Sequence, residues 1–83
     1  MNTDEIRSFI QTEILNEPGH EIADDENLLL SEILNSLSVA VLIAHLQDTC
    51  GIQVPAEDVT LENFGTLTSI EAYVQRSLDK AAG

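Results

Sequence analysis

The chain has 83 residues, enough for one domain with a small core and too few for a core plus a deep catalytic cleft. Fifteen acidic residues stand against three basic ones, Arg7, Arg76 and Lys80, for a formal net charge of -12. Such a surface repels nucleic acid and anionic membranes and suits basic patches on partner proteins. A 43% hydrophobic content in periodic blocks separates it from an acidic disordered tail. The single cysteine, Cys50, excludes an internal disulfide and a Cys-based zinc cluster. The start, Met1-Asn-Thr-Asp-Glu5, is acidic and lacks the apolar core of a signal peptide. The longest apolar run, Val39 to Ala44, is far too short to span a membrane, so a soluble cytoplasmic protein is expected. A monomer is expected as well.

Ile6, Phe9, Ile10 and Ile14 recur at helical spacing. Asn2 or Thr3 supplies a cap, with Asp4 and Glu5 favourable in the first turn. Asn16-Glu-Pro-Gly19 ends this first helix. Residues 16 to 34 then form a long connection whose leucines, Leu28, Leu29 and Leu30, are expected to pin it to the rest. A second helix is predicted from Ser36 to Cys50, with Val39, Leu42 and Leu46 as its apolar stripe, widened by Ile43 and Cys50. Gly51 stops it. Ile52-Gln-Val54 alternates like a short strand but has no partner in view, so a packed loop is expected.

Pro55-Ala-Glu-Asp-Val59 suits a turn of helix, and Thr60-Leu-Glu-Asn-Phe64 a second one before Gly65 breaks the run. Thr68-Ser-Ile-Glu71 reads as a capping box opening a last helix, with Ile70, Tyr73, Val74 and Leu78 on its apolar face. Residues 79–83 are expected to fray. The sum is an all-α, small four-helix bundle: three main helices plus a short third helix, with a long loop between helices one and two. The whole of residues 1–83 is expected to be one domain.

Ser36 is the candidate site. Alone, a serine at a helix start is a cap, and Asn35 could cap as well. Its surroundings carry more. Leu28-Leu-Leu-Ser-Glu-Ile-Leu-Asn-Ser-Leu37 is followed by a helix, then Cys50-Gly-Ile-Gln-Val-Pro55, then Asn63-Phe-Gly-Thr-Leu-Thr-Ser-Ile70. This order, over roughly residues 4 to 78, resembles the acyl and peptidyl carrier protein family. The resemblance implies that Ser36 bears a 4'-phosphopantetheine arm derived from coenzyme A. A phosphopantetheinyl transferase attaches the arm, and its terminal thiol holds acyl or aminoacyl groups as thioesters. It implies further partners that load and process the cargo: an acyltransferase, an adenylating enzyme or a ketosynthase. The carrier itself does no bond chemistry, so no residue is expected to be catalytic. The family's usual Asp-Ser-Leu is Asn-Ser-Leu here.

Nine of the fifteen acids lie in residues 1 to 34, whereas the second helix holds only Asp48. Carriers of bacterial fatty-acid synthesis typically place several acids along that helix. Aligned on Ser36, those positions are Asn35, Ser38 and Val41, and Val41 lies off the apolar stripe and should be exposed. With Leu37 beside the attachment point and His45 further along, these are the candidate partner-facing residues. A neutral face resembles peptidyl carriers and carriers of specialised pathways. The expected role is therefore a free-standing carrier for a polyketide, nonribosomal-peptide or aminoacyl-transfer pathway. A fatty-acid carrier, a D-alanyl carrier and an unmodified acidic interaction module are the alternatives.

Other chemistries fail on geometry. Ser36 and His45 are nine residues apart on one helix, about 13 Å along its axis and on opposite sides, so they form no dyad. His20 is expected to be solvated and Cys50 to be a buried small hydrophobe. A calcium loop beginning at Asp24 would need glycine where Leu29 stands, so no metal site is expected. Ile52, Ala56 and Asp58 match positions near the arm in many carriers but read as structural first.

Overall fold

A computed structural model describes residues 2–82, with side chains through Lys80. Helix α1 spans Thr3–Phe9 and continues into a π-helical turn, Ile10–Ile14. Helix α2 is Ser36–Cys50, a 3-10 turn covers Ala56–Asp58, α3 is Leu61–Phe64, and α4 is Leu67–Ala82. The protein is an all-α bundle of three main helices and one short one. The described residues contain no strand, and Ile52 is a buried loop residue.

Asn2 caps α1 in a reciprocal capping box with Glu5: each side chain accepts the other's backbone N–H. The helix then widens, and the Leu15 N–H reaches back five residues to the Ile10 carbonyl at 2.8 Å. Asn16 ends it in the left-handed region, at φ 55°. Ile6 and Ile10 are fully buried, while Ile14 is half-buried.

The long connection is tied down at several points. Arg7 Nε donates to the Ile22 carbonyl at 2.9 Å, and its guanidinium pairs with Asp4 and Asp24. The Asp24 carbonyl accepts both the N–H and the hydroxyl of Thr68. The Leu28 N–H donates to the Gly65 carbonyl at 2.7 Å. The leucines divide their work unequally. Leu28 is fully buried and Leu29 half-buried, but Leu30 is 79% exposed and pins nothing. The Asn27 side chain accepts the Leu30 N–H and holds this local turn, which points Leu30 outward.

Helix α2 follows its predicted bounds. Val39, Leu42 and Leu46 are its buried stripe, each side chain worth about 1.5–3 kcal/mol of burial. Cys50 is half-buried rather than buried, at the margin where Gly51 turns the chain at φ 69°. Helix α4 begins one residue before the predicted capping box, and its cap differs. Thr66 Oγ1 accepts the Ser69 N–H at 3.0 Å, and the Ile70 N–H closes the first turn on the Thr66 carbonyl. Glu71 is thereby released to accept the Thr3 N–H at 2.6 Å, so a side chain of α4 caps α1. The helix runs on through Ala82; of the tail expected to fray, Gly83 lies outside the described residues.

Candidate functional site

Ser36 is the first residue of α2 and is exposed. Asn35 precedes it as N-cap, in extended geometry, and its side chain accepts the Ser38 N–H at 2.9 Å. The Val39 N–H donates to the Asn35 carbonyl. Among the described residues the N–H groups of Ser36 and Leu37 carry no hydrogen bond. They lie at the positive end of a 15-residue helix dipole, where an anion is favoured.

The first turn of α2 thus gathers Asn35, Ser36, Leu37 and Ser38. Leu37 is 77% exposed, and Val41, one turn further on, is also exposed. Leu37, Val41 and His45 follow at four-residue steps and so share a strip of the helix. The strip ends differently from its expected course. His45 is half-buried, its ring stacked on Phe9 of α1 with centroids 3.8 Å apart and planes 15° from parallel. The stack packs α2 against α1 and leaves His45 less open than Leu37 and Val41. His20 is exposed, as expected.

A groove of about 290 Å³ opens beside Ser36. With Ser36 it is lined by Leu29, Val39, Val59, Thr60, Leu61 and Phe64. Val59 and Leu61 are exposed at its rim. Apart from Ser36, none of the groove residues stood out in the sequence as part of a site. Their only sequence signal is Val59-Thr-Leu61, two apolar residues flanking the Thr60 cap of a helix too short to bury both. The stretch from Ile33 to Gln47 holds no acid, lysine or arginine in a chain of net charge -12. The site is thus a neutral, partly apolar face on an acidic protein.

Asp58 lies away from Ser36 in its contacts. It accepts the Tyr73 hydroxyl at 2.7 Å and joins the 3-10 turn to α4. Burial first, and then this hydrogen bond, raise the Tyr73 pKa above its ordinary 10.0. Among the described residues no cluster of three His, Cys, Asp or Glu side chains is placed to hold a metal, and no helix is long and apolar enough to cross a membrane.

Residues 5–74 match the family model described as the phosphopantetheine attachment site. A chain in a solved structure described as the crystal structure of an FAD-dependent dehydrogenase has the same fold, with a TM-score of 0.75 and 26% identity. The match covers 82% of this chain and 96% of that one, so the two chains are of similar length. The family site takes covalent 4'-phosphopantetheine, on which intermediates are held as thioesters. Its partners are the phosphopantetheinyl transferase and enzymes that process the cargo, and carrier domains of this kind are non-catalytic. This chain belongs to the acyl and peptidyl carrier protein family.

Proposed function

We propose that Ser36 carries the phosphopantetheine arm and that the protein is a non-catalytic carrier for a specialised polyketide, nonribosomal-peptide or aminoacyl-transfer pathway. The attachment point rests on one observation: an exposed hydroxyl at the start of α2, with two unengaged backbone N–H groups beside it. A phosphodiester on Ser36 Oγ fits there. The N–H groups and the helix dipole offset its charge, and no carboxylate of the Ile33–Gln47 stretch opposes it. The arm supplies a terminal thiol that holds the cargo as a thioester. The chain's own residues present that arm. Asn35 fixes the turn, Leu37 forms an apolar lip for the transferase, and the groove from Leu29 to Phe64 offers apolar shelter next to the attachment point.

The pathway class rests on the neutral face of Asn35, Leu37, Ser38 and Val41. A partner that docks there needs apolar contact more than a basic patch. The retained Ser36 and Leu37 speak against an unmodified module, the alternative that Asn35 in place of aspartate favours. Incubation with coenzyme A and a broad-specificity transferase, followed by intact mass measurement, tests the attachment. One arm should be added to the wild type and none to Ser36→Ala. Addition that persists in the variant would sink the assignment.

A further inference from the structure

The fold treats the three cations of this chain differently. Arg7 is held between Asp4 and Asp24. Among the described residues Arg76 and Lys80 have no carboxylate within ion-pair distance, although the chain carries fifteen acids. They are four residues apart and so share one face of α4. Both line a concavity of about 640 Å³ between α4 and the segment that follows α2.

Arg76 is oriented without being neutralised. Its Nη2 donates to Asn63 Oδ1 at 3.3 Å, and its guanidinium carbon lies 5.8 Å from the Tyr73 ring centroid. The one carboxylate in the wall, Asp58, is engaged by the Tyr73 hydroxyl at 2.7 Å. Pro55, which is exposed, adds apolar surface to the same wall, and the buried Ile52 and Tyr73 reach it only by their edges. Two cations beside an apolar wall suit an anionic head on an apolar body.

We propose that this concavity binds a carboxylate on a short apolar body, with Arg76 and Lys80 as its charge partners and Pro55, beside the edges of Ile52 and Tyr73, against the body. The overall charge limits the ligand. A net charge of -12 repels a polyanion strongly and a single carboxylate far less. The volume is in the small-ligand class, roughly 300–1,000 Å³. Gly51, which lines the concavity, closes α2 at the end opposite Ser36, and a helix of that length is about 22 Å long. Occupancy therefore leaves the Ser36 face clear, and the proposal does not depend on the assignment of the arm.

A free carboxylic acid and the C-terminus of a peptide offer the same chemistry. The full chain, ¹⁵N-labelled, is titrated with hexanoate and with acetyl-Leu-Val. The neutral counterparts, hexanamide and the dipeptide amide, are titrated in parallel. At least one acid should give saturable shifts confined to Ile52, Gln53, Tyr73, Arg76 and Ser77, with a Kd on the order of 1 mM. The amide should bind about tenfold more weakly or worse, as should the acid to Arg76→Gln/Lys80→Gln, loss of a charge-assisted contact being worth that much. The acid that binds more tightly identifies the source, and equal affinity identifies both. Absence of saturable shifts with both acids, or amides that bind as well as acids, would overturn the site. So would a folded double variant that binds like the wild type. The acid and amide comparison on the wild type decides the matter if that variant does not fold.

Discussion

Asn35 separates two properties that an aspartate would combine. Its side chain holds the Ser38 N–H at 2.9 Å, which keeps a cap worth about 1 kcal/mol, while the charge beside Ser36 is gone. Val41, exposed on the same helix, likewise offers apolar surface where an acid would steer a basic partner. Long-range attraction sets on-rates more than final affinity, so net charge alone does not make this a good substrate for fatty-acid synthase enzymes. Asn35→Asp with Val41→Glu should therefore be loaded several-fold faster by a malonyl transferase of fatty-acid synthesis, most clearly at low salt. Each restored exposed pair contributes about 0.2–1 kcal/mol. A dedicated partner that docks on Val41 should be served worse by the double variant. Wild-type loading already as fast as that of a fatty-acid carrier would remove the main support for a specialised pathway.

At the scale of elements, the bundle depends on a few joints between helices. The first is Tyr73 on α4 against Asp58 of the 3-10 turn. The raised Tyr73 pKa means that the fold favours the neutral phenol. Its contribution to stability is fully present below the unfolded value of 10.0 and is lost as pH rises through the higher folded value. Urea unfolding from pH 8 to 11 should show this alkaline loss, and Tyr73→Phe should show less of it. The second joint is Gly65, where the connection is tied to the end of α3. A Cβ there would overlap the Leu61 carbonyl oxygen, and the Gly65 carbonyl accepts the Leu28 N–H. Gly51 has open space around it but sits at φ 69°. Alanine should cost about 1 kcal/mol at Gly51 through backbone conformation, and about 1–3 kcal/mol at Gly65 through the clash. A Gly51→Ala variant that loses more stability than Gly65→Ala would show that the joint is looser than its geometry implies.

The whole molecule is small and highly charged. Its radius of gyration is 11.9 Å, close to the ~12 Å expected of a globule of this length, so the long connection packs against the helices. Fifteen acids on so small a body repel one another, and the described residues place carboxylates against a cation only around Arg7, with Glu17 near His20 as a further, protonation-dependent pair. Counterions screen that repulsion within about 10 Å at 0.1 M ionic strength. The melting temperature followed by circular dichroism should therefore rise from low to moderate salt. A midpoint that stays constant or falls would show that the acids do not limit stability.

The helices, their order and the position of Ser36 were legible in the sequence because each has a local cause. Periodic apolar residues mark α2 and α4, Gly51 marks a stop, and Asn35-Ser36-Leu37 stands at a helix start. The π-helical turn was not legible, because Ile10 and Ile14 suit either a normal or a widened turn, and the turn packs against α2, which lies far along the chain. The capping box of α4 was misplaced because Thr68-Ser-Ile-Glu71 satisfies the local pattern. In the fold Glu71 turns toward α1 and accepts the Thr3 N–H, a partner 68 positions away, while Thr66 takes the cap. His45 looked free on its helical strip for the same reason: Phe9, its stacking partner, is 36 positions away in the chain. The groove beside Ser36 and the exposed cations of α4 likewise join segments distant in sequence. Spacing along the chain determines which face a helix turns toward the core, but the neighbours it meets there are set by how all the apolar faces can be buried at once.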